Sequence, residues 1–444
     1  MFQLFAGRTS QRAIRRVLSV VLLSALLLPL CLEGPGARAE NSKALSSSRT
    51  VLRVMPYPDI PGSFAEMLRI VETGFEARYP DIDLELVTAS VEDVYETAYL
   101  AERLSNATQQ GGVHIAEIDT IMLGDLAQSG LLREQGFRVA DWHPLIEQAV
   151  AVDGVQYGVP HWLCGNFLIS RHPEVTQALS VEDLARRIRA IKPKAPWLAG
   201  NYAGSSYLVL YYTQAWGQDR PGVYDLQPAI TDPVDLVAVR HLAMASGLCT
   251  ENGVNPCVDG TYYADFAPIF ERTVRGDYAA LQGFSESMWY MMQYGANPEE
   301  WYISPLPVGL GNRNVLLGDA YVARRDLDPA VARAAEAFYA YMMEYDTYAA
   351  IIFSGGPPVD AHAGGGAQVP RYLAPARLGM FAQPGLAQDA YYQRVLAAMV
   401  SEDGTNYPNL HVPENRERIY ESVMPFLDGT IQHMPRRGMM PFVK

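Results

Sequence analysis

The sequence predicts an α/β fold of two lobes with a ligand cleft between them. Three observations predict it. Short apolar strands alternate with amphipathic helical segments from residue 51 onward, the pattern of a parallel sheet with crossover helices. The chain has 444 residues, more than one hydrophobic core commonly organises. No internal repeat and no long low-complexity tract points to a solenoid or a fibre.

The first segment reads as a processing signal. Arg8, Arg12, Arg15 and Arg16 precede an apolar run over 17–32, and Ala37-Arg38-Ala39 supplies an A-x-A cleavage pattern. Residues 1–39 are expected to be a signal peptide, and the protein to be exported to a periplasmic or extracellular space. The run is too short for a bilayer-spanning helix and nothing later is longer, so no membrane span is expected. Cleavage after Ala39 removes five arginines and one glutamate, taking the formal net charge from −14 to −18. Such a surface repels phosphate backbones and anionic membranes. That argues against nucleic acid as a partner and suits a neutral or cationic small ligand.

The elements then follow in order. "VLRVMPY" (51–57) is a first strand, running into the loop "PDIPG". Phe64, Met67, Leu68, Val71 and Phe75 recur at helical spacing, so a helix is expected over 64–78, stopped by Tyr79-Pro80. "IDLELV" (82–87) alternates as a second strand, and a helix is expected from 91 to about 107. "VHIAEID" (113–119) is a third strand feeding a helix near 120–129, and Asp153-Gly154 marks a hairpin turn. "GVPHWLCGNFLIS" (158–170) reads as a buried strand with a cysteine at its centre. A last helix is expected near 414–427.

Four cysteines are encoded. Cys31 leaves with the leader. Cys249 and Cys257 bracket the turn-rich "CTENGVNPC", and in an oxidising compartment a local disulfide is the economical pairing. Cys164 is then alone, as a reactive thiol or as a small buried core residue. A nucleophilic thiol needs a base, and His161 is nearest in sequence. Residues three apart on a strand face opposite sides, so His161 is expected to be structural. The eight histidines form no H-E-x-x-H motif, and no C-x-x-C, P-loop or G-x-S-x-G elbow occurs. No metal site and no cofactor is expected.

"FEARYPDIDLELV", "HIAEIDTIMLGDLAQSGLL", "VDGVQYGVPHW" and the late "AAEAFYAYMMEYDTYAAIIFSGGPPV", in that order and spacing, resemble the periplasmic solute-binding protein fold of the class II type with two crossing segments. The resemblance implies lobe 1 over 40–160 plus about 320–365 and lobe 2 over 161–319. The tail 366–444 becomes a C-terminal helical extension packed on the lobes. In that layout "YAALQGFS" returns to the cleft and brings Glu286 with it. A buried carboxylate has its pKa raised and becomes a competent base for a thiol. The same glutamate also suits the first turn of the helix that follows.

"YGVPHWLCGNFL" followed by "GFSE" is similar to the type I thiaminases (thiamine pyridinylases), which are built on this fold. The resemblance implies Cys164 as nucleophile and Glu286 as acid/base. It implies Asp319, in "LLGDAYV", and Asp119 as pyrimidine contacts, with Tyr57, Tyr99, Tyr263 and Tyr321 in a tyrosine-rich cleft. Phe284 stands in the cleft where the family pattern leads us to expect a tyrosine. The expected partners are thiamine and a small amine or thiol, and the expected state is a monomer. A non-catalytic binding protein for thiamine or another cation is the alternative. For Asp319 a turn beside Gly318, and for Asp119 a helix cap, are the competing readings.

Overall fold

The computed structural model describes residues 49–106, 111–356, 369–401 and 403–431. The expected leader and most of the Gly-rich stretch after residue 360 lie outside them. The strands are β1 (Thr50–Met55), β2 (Ile82–Leu86), β3 (Ile115–Asp119), β4 (Ala151–Val152), β5 (Val155–Gln156), β6 (Gly158–Gly165), β7 (Phe167–Ser170), β8 (Leu198–Ala199), β9 (Ala280–Gly283), β10 (Tyr302–Pro305), β11 (Val315–Ala323), β12 (Ala374–Pro375) and β13 (Thr405–Asn406).

They form two principal sheets. The larger runs β12-β6-β11-β3-β1-β2, with β13 joined to β11; the smaller runs β10-β7-β9-β8. β1 is parallel to both β2 and β3, as the alternation of strands and helices requires. β11 returns antiparallel between β3 and β6. Every residue of β3 and of β11 is buried, as expected of central strands covered on both faces.

The sheets exchange chain at two places. "GVPHWLCGNFLIS" is two strands: β6 ends at Gly165 in the larger sheet, and β7 starts at Phe167 in the smaller. The return runs from β10 to β11. Asn166, at the first crossing, is buried and donates to the Tyr407 hydroxyl at 2.9 Å. The described C-terminal residues touch both sheets. β12 pairs with β6 and β13 with β11, while the helix Val412–Leu427 packs on the helix Ser205–Gln218 of the smaller lobe. Those two short strands carry no alternation of their own, and the sequence pattern did not predict them.

The helix Phe64–Arg78 forms over the predicted residues, its Ser63 cap accepting the Glu66 N–H at 3.1 Å. The helix expected over 91–107 does not run through. A 3-10 turn, Asp93–Tyr95, gives way at an extended Glu96 to the helix Thr97–Ser105. Cys249 and Cys257 form the predicted disulfide. Among the described residues no helix is long and apolar enough to cross a membrane.

Candidate active site

Strand geometry puts the reactive groups on one wall. Trp162 and Cys164 are two apart on β6, and Leu317 and Asp319 two apart on β11, so each pair shares a face. The register sets Cys164 opposite Leu317 and Trp162 opposite Asp319. Asp319 in turn faces Asp119 across the β11–β3 ladder. From the smaller lobe, β9 ends at Gly283 and delivers Phe284 and Glu286 to the same place. All of these line one pocket that opens to solvent, with Tyr57, Asp59, Ile60, Tyr95, Leu210 and Leu373.

The pocket is acidic. No Lys, Arg or His is among its lining residues. Burial is the first cause of every shift there. It pushes Asp119 up to about 7, even though Oδ1 accepts the Ile121 N–H at 3.0 Å and Oδ2 the Tyr95 hydroxyl at 3.3 Å. It pushes Asp319 well above the carboxylate range, with the Asp119 charge adding to the effect. Glu286 is also raised by burial, opposed by a 3.2 Å hydrogen bond from the Ser285 hydroxyl. The Cys164 thiol is raised by burial first and then by the charges of Asp319, Glu286 and Asp119. A cationic guest would reverse those charge effects, so the site is electrostatically suited to a positively charged or proton-donating ligand.

The tyrosines divide. The Tyr57 hydroxyl lies 2.7 Å from that of Tyr95, and the Tyr57 backbone N–H donates to Glu117 at 3.0 Å. Tyr263 lines a neighbouring pocket with Tyr95, Tyr207 and Phe266. Tyr99 and Tyr321 do not reach the cleft. Tyr99 lies under Arg103, whose guanidinium is 4.7 Å from the ring centre. In one continuous helix Tyr95 and Tyr99 would share a face, and the break at Glu96 turns Tyr95 inward and Tyr99 out. Tyr321 lies beyond Asp319 on β11, where the helix Pro329–Met342 covers the sheet; it is buried against Phe338 at 5.3 Å and His161 at 4.9 Å.

His161 has the structural role that strand parity implies. It is the extra residue of a β-bulge in β6, and its Nδ1 lies 2.5 Å from Glu117 Oε1 beneath the pocket wall. Sequence reasoning missed Trp162 and Leu317, although the two-residue period that places Cys164 and Asp319 would have found both. It also missed Asp59, Ile60, Tyr95, Leu210 and Leu373, for which no local pattern existed. Leu373 arrives because the buried Arg371 guanidinium ties the C-terminal segment to the loop after β1. It donates to the carbonyls of Pro61, Ser63 (3.0 Å) and Ser354 (2.9 Å). Gly62 takes φ +81 there, and a Cβ on it would meet the Gly355 carbonyl at 2.5 Å. Among the described residues no group of three or more His, Cys, Asp or Glu is arranged to hold a metal.

No protein-family model matches the sequence, and no curated relative does. Solved structures do match. The chain is similar to thiaminase I from Bacillus thiaminolyticus at 22% identity and a TM-score of 0.65, over 85% of this chain and 99% of that one. It is similar to Clostridium botulinum thiaminase I in complex with thiamin at 16% identity and TM-score 0.65, over 86% and 100%. Maltose-bound MalE3 of T. maritima is also similar, at 15% identity and TM-score 0.61 over 86% and 99%. The fold is therefore the two-lobed periplasmic-binding-protein fold.

Proposed function

We propose that the protein is an exported, monomeric transferase that cleaves thiamine. One observation carries the reading. An unpaired thiol, a glutamate and three aspartates (Asp59, Asp119 and Asp319), separated in sequence by up to 260 positions (Asp59 to Asp319), line one pocket with no basic side chain. Cys164, Glu286, Asp119 and Asp319 have work in the reaction. Glu286 takes the proton of Cys164 as the sulfur bonds to an electron-poor carbon of the aminopyrimidine. Asp119 and Asp319 hold the pyrimidine through its amino group and ring nitrogens. The bond from the methylene carbon to the thiazolium nitrogen then breaks, and the nitrogen keeps the electron pair and leaves as neutral thiazole. An amine or thiol adds to the methylene carbon, and the Cys164 sulfur departs and recovers its proton from Glu286. With an acceptor that carries an N–H or S–H the remaining proton goes to solvent, and with pyridine the product keeps the positive charge.

The test is loss of thiamine in the presence of aniline or pyridine. Cys164→Ser should abolish it while leaving thiamine binding largely intact. The fold shared with a maltose-bound protein favours the second reading, a non-catalytic carrier of thiamine or another cation. Wild type that binds thiamine and releases it unchanged would establish the carrier and end the enzyme reading. The disulfide supports export, since such bonds persist in oxidising compartments.

A further inference from the structure

β3 carries a further acid one step below the aspartate pair. Glu117 and Asp119 are two apart, so they share a face of the sheet. Across the ladder Asp119 meets Asp319 and Glu117 meets Tyr321. Glu117 is 3% exposed and lies outside the pocket lining. Three groups able to donate surround it. Oε2 accepts the Tyr57 N–H at 3.0 Å, His161 Nδ1 stands 2.5 Å from Oε1, and the Tyr321 hydroxyl bonds to the carboxylate. The bulge in β6 allows this. Pro160 pairs with Ala320 and Trp162 with Asp319, so His161 is supernumerary and turns to Glu117 while Trp162 stays in the pocket wall. Glu117 also closes a circuit. Tyr57, held by its N–H, places its hydroxyl 2.7 Å from that of Tyr95, which donates to Asp119 Oδ2 at 3.3 Å.

A glutamine of the same shape would make most of these bonds without the cost of burying a charge. A carboxylate kept there calls for a use, and the pyrimidine supplies one. An aminopyrimidine presents an amino donor and ring-nitrogen acceptors, whereas two carboxylates only accept. One proton must lie in the contact, on an aspartic acid or on the ring. We propose that Glu117 is a positioning residue that never touches substrate and whose charge keeps this proton on the Asp119–Asp319 pair. The inference rests on the thiamine-cleaving reading. Burial first, and then the charges of Asp119, Glu117 and Glu286, hold Asp319 well above the carboxylate range. The other titratable groups facing the pair are Cys164 from β6, Glu286 beyond the end of β9, and Tyr57, Asp59 and Tyr95. Unlike the acids among them, Glu117 lies beneath the wall, so its charge acts whether or not the pocket is filled.

The experiment follows kcat and KM for thiamine across pH 6–9, with aniline as acceptor, in wild type, Glu117→Gln and Tyr321→Phe. At saturating thiamine the rate tracks Glu286, and KM reports the aspartate pair. KM should rise as pH climbs and the pair loses its last proton. Glu117→Gln removes the charge that holds this proton, so its KM rise should begin about one pH unit lower, with the kcat profile in place. Tyr321→Phe takes a donor from Glu117 and strengthens its field, so its rise should begin a few tenths of a unit higher. Structural damage would raise KM evenly and would not move the two profiles in opposite directions. Coincident KM profiles in wild type and Glu117→Gln, or profiles displaced the same way in both variants, overturn the proposal and leave thiamine cleavage standing. Should Glu117→Gln not fold, Tyr321→Phe decides alone, by its alkaline displacement or the lack of it. Should wild type not consume thiamine, the enzymatic reading fails, and calorimetry of thiamine on Cys164→Ser, with and without Glu117→Gln, decides over the same pH range. Affinity lost at lower pH in the double variant supports the role, and unshifted or absent binding overturns it.

Discussion

Replacing Glu286 by Gln separates two effects that the site combines. An ordinary thiol near 9.0 is about 1% ionised at pH 7, and Cys164 lies higher, because burial and three neighbouring acids disfavour its thiolate. The proposed reaction therefore depends on a base. If Glu286 is that base it serves in its ionised form, so wild-type activity should fall as pH drops through its raised pKa and be level above it. Without the base, thiamine loss at pH 7 should fall about 10²–10⁴-fold. The residual rate should then climb close to tenfold per pH unit from 7 to 9, as hydroxide does the ionising. The Glu286 charge, with that of Asp319, also raises the thiol. Its neutralisation must lower the Cys164 pKa even while turnover collapses. The assay is thiamine disappearance with aniline across pH 6–9, beside the pH dependence of iodoacetamide alkylation. A variant with more than a tenth of wild-type activity at pH 7, or one whose alkylation pKa rises, would refute the reasoning.

Other predictions follow from particular contacts. Asp319→Asn should stabilise the protein by about 2 kcal/mol at pH 8 while weakening thiamine binding, because a buried carboxylate beside Asp119 is traded for a neutral amide. Its sign reverses the common acid case. A folded-state pKa above the unfolded one means that stability falls as pH rises from the unfolded carboxylate value toward the folded one. The gain should therefore vanish below about pH 4, and thermal melts at pH 4 and 8 measure it. Arg371→Met should cost about 3–5 kcal/mol in urea unfolding, since it strands the carbonyls of Pro61, Ser63 and Ser354. Opening the Cys249–Cys257 bond with a double Ser substitution should cost about 2–3 kcal/mol, given its separation of 8 residues, and leave kcat unchanged.

Much of the larger lobe was legible because its signals are periodic. Helical spacing in "FAEMLRIVETGFEAR" and alternation in "IDLEL" are direct consequences of a face that must be buried. Cysteine pairing and strand parity isolated Cys164 and set His161 aside. The choice of Glu286, Asp119 and Asp319 rested on motif resemblance; the sheet register brings the two aspartates together, and the end of β9 in the other sheet brings Glu286 to them. What was not legible is where periodicity stops. A single extended residue at Glu96 exchanges Tyr95 for Tyr99, and no spacing announces it. Leu373 reaches the pocket through a buried arginine more than 300 residues from the carbonyls of Pro61 and Ser63 it binds, a contact that only tertiary structure creates.

The crossing at Asn166 has a consequence for timing. Cys164 stands on the last turn of pleat before the chain leaves one sheet, and Glu286 belongs to the other. Under the proposed mechanism, a motion that parted the lobes would also part Cys164 from Glu286 and leave the thiol without its base. An export compartment is hostile to thiolates, which oxidise stepwise and in part irreversibly. By dividing the proposed nucleophile and base between two sheets, the fold would make the sulfur's reactivity depend on both walls of the pocket being in place.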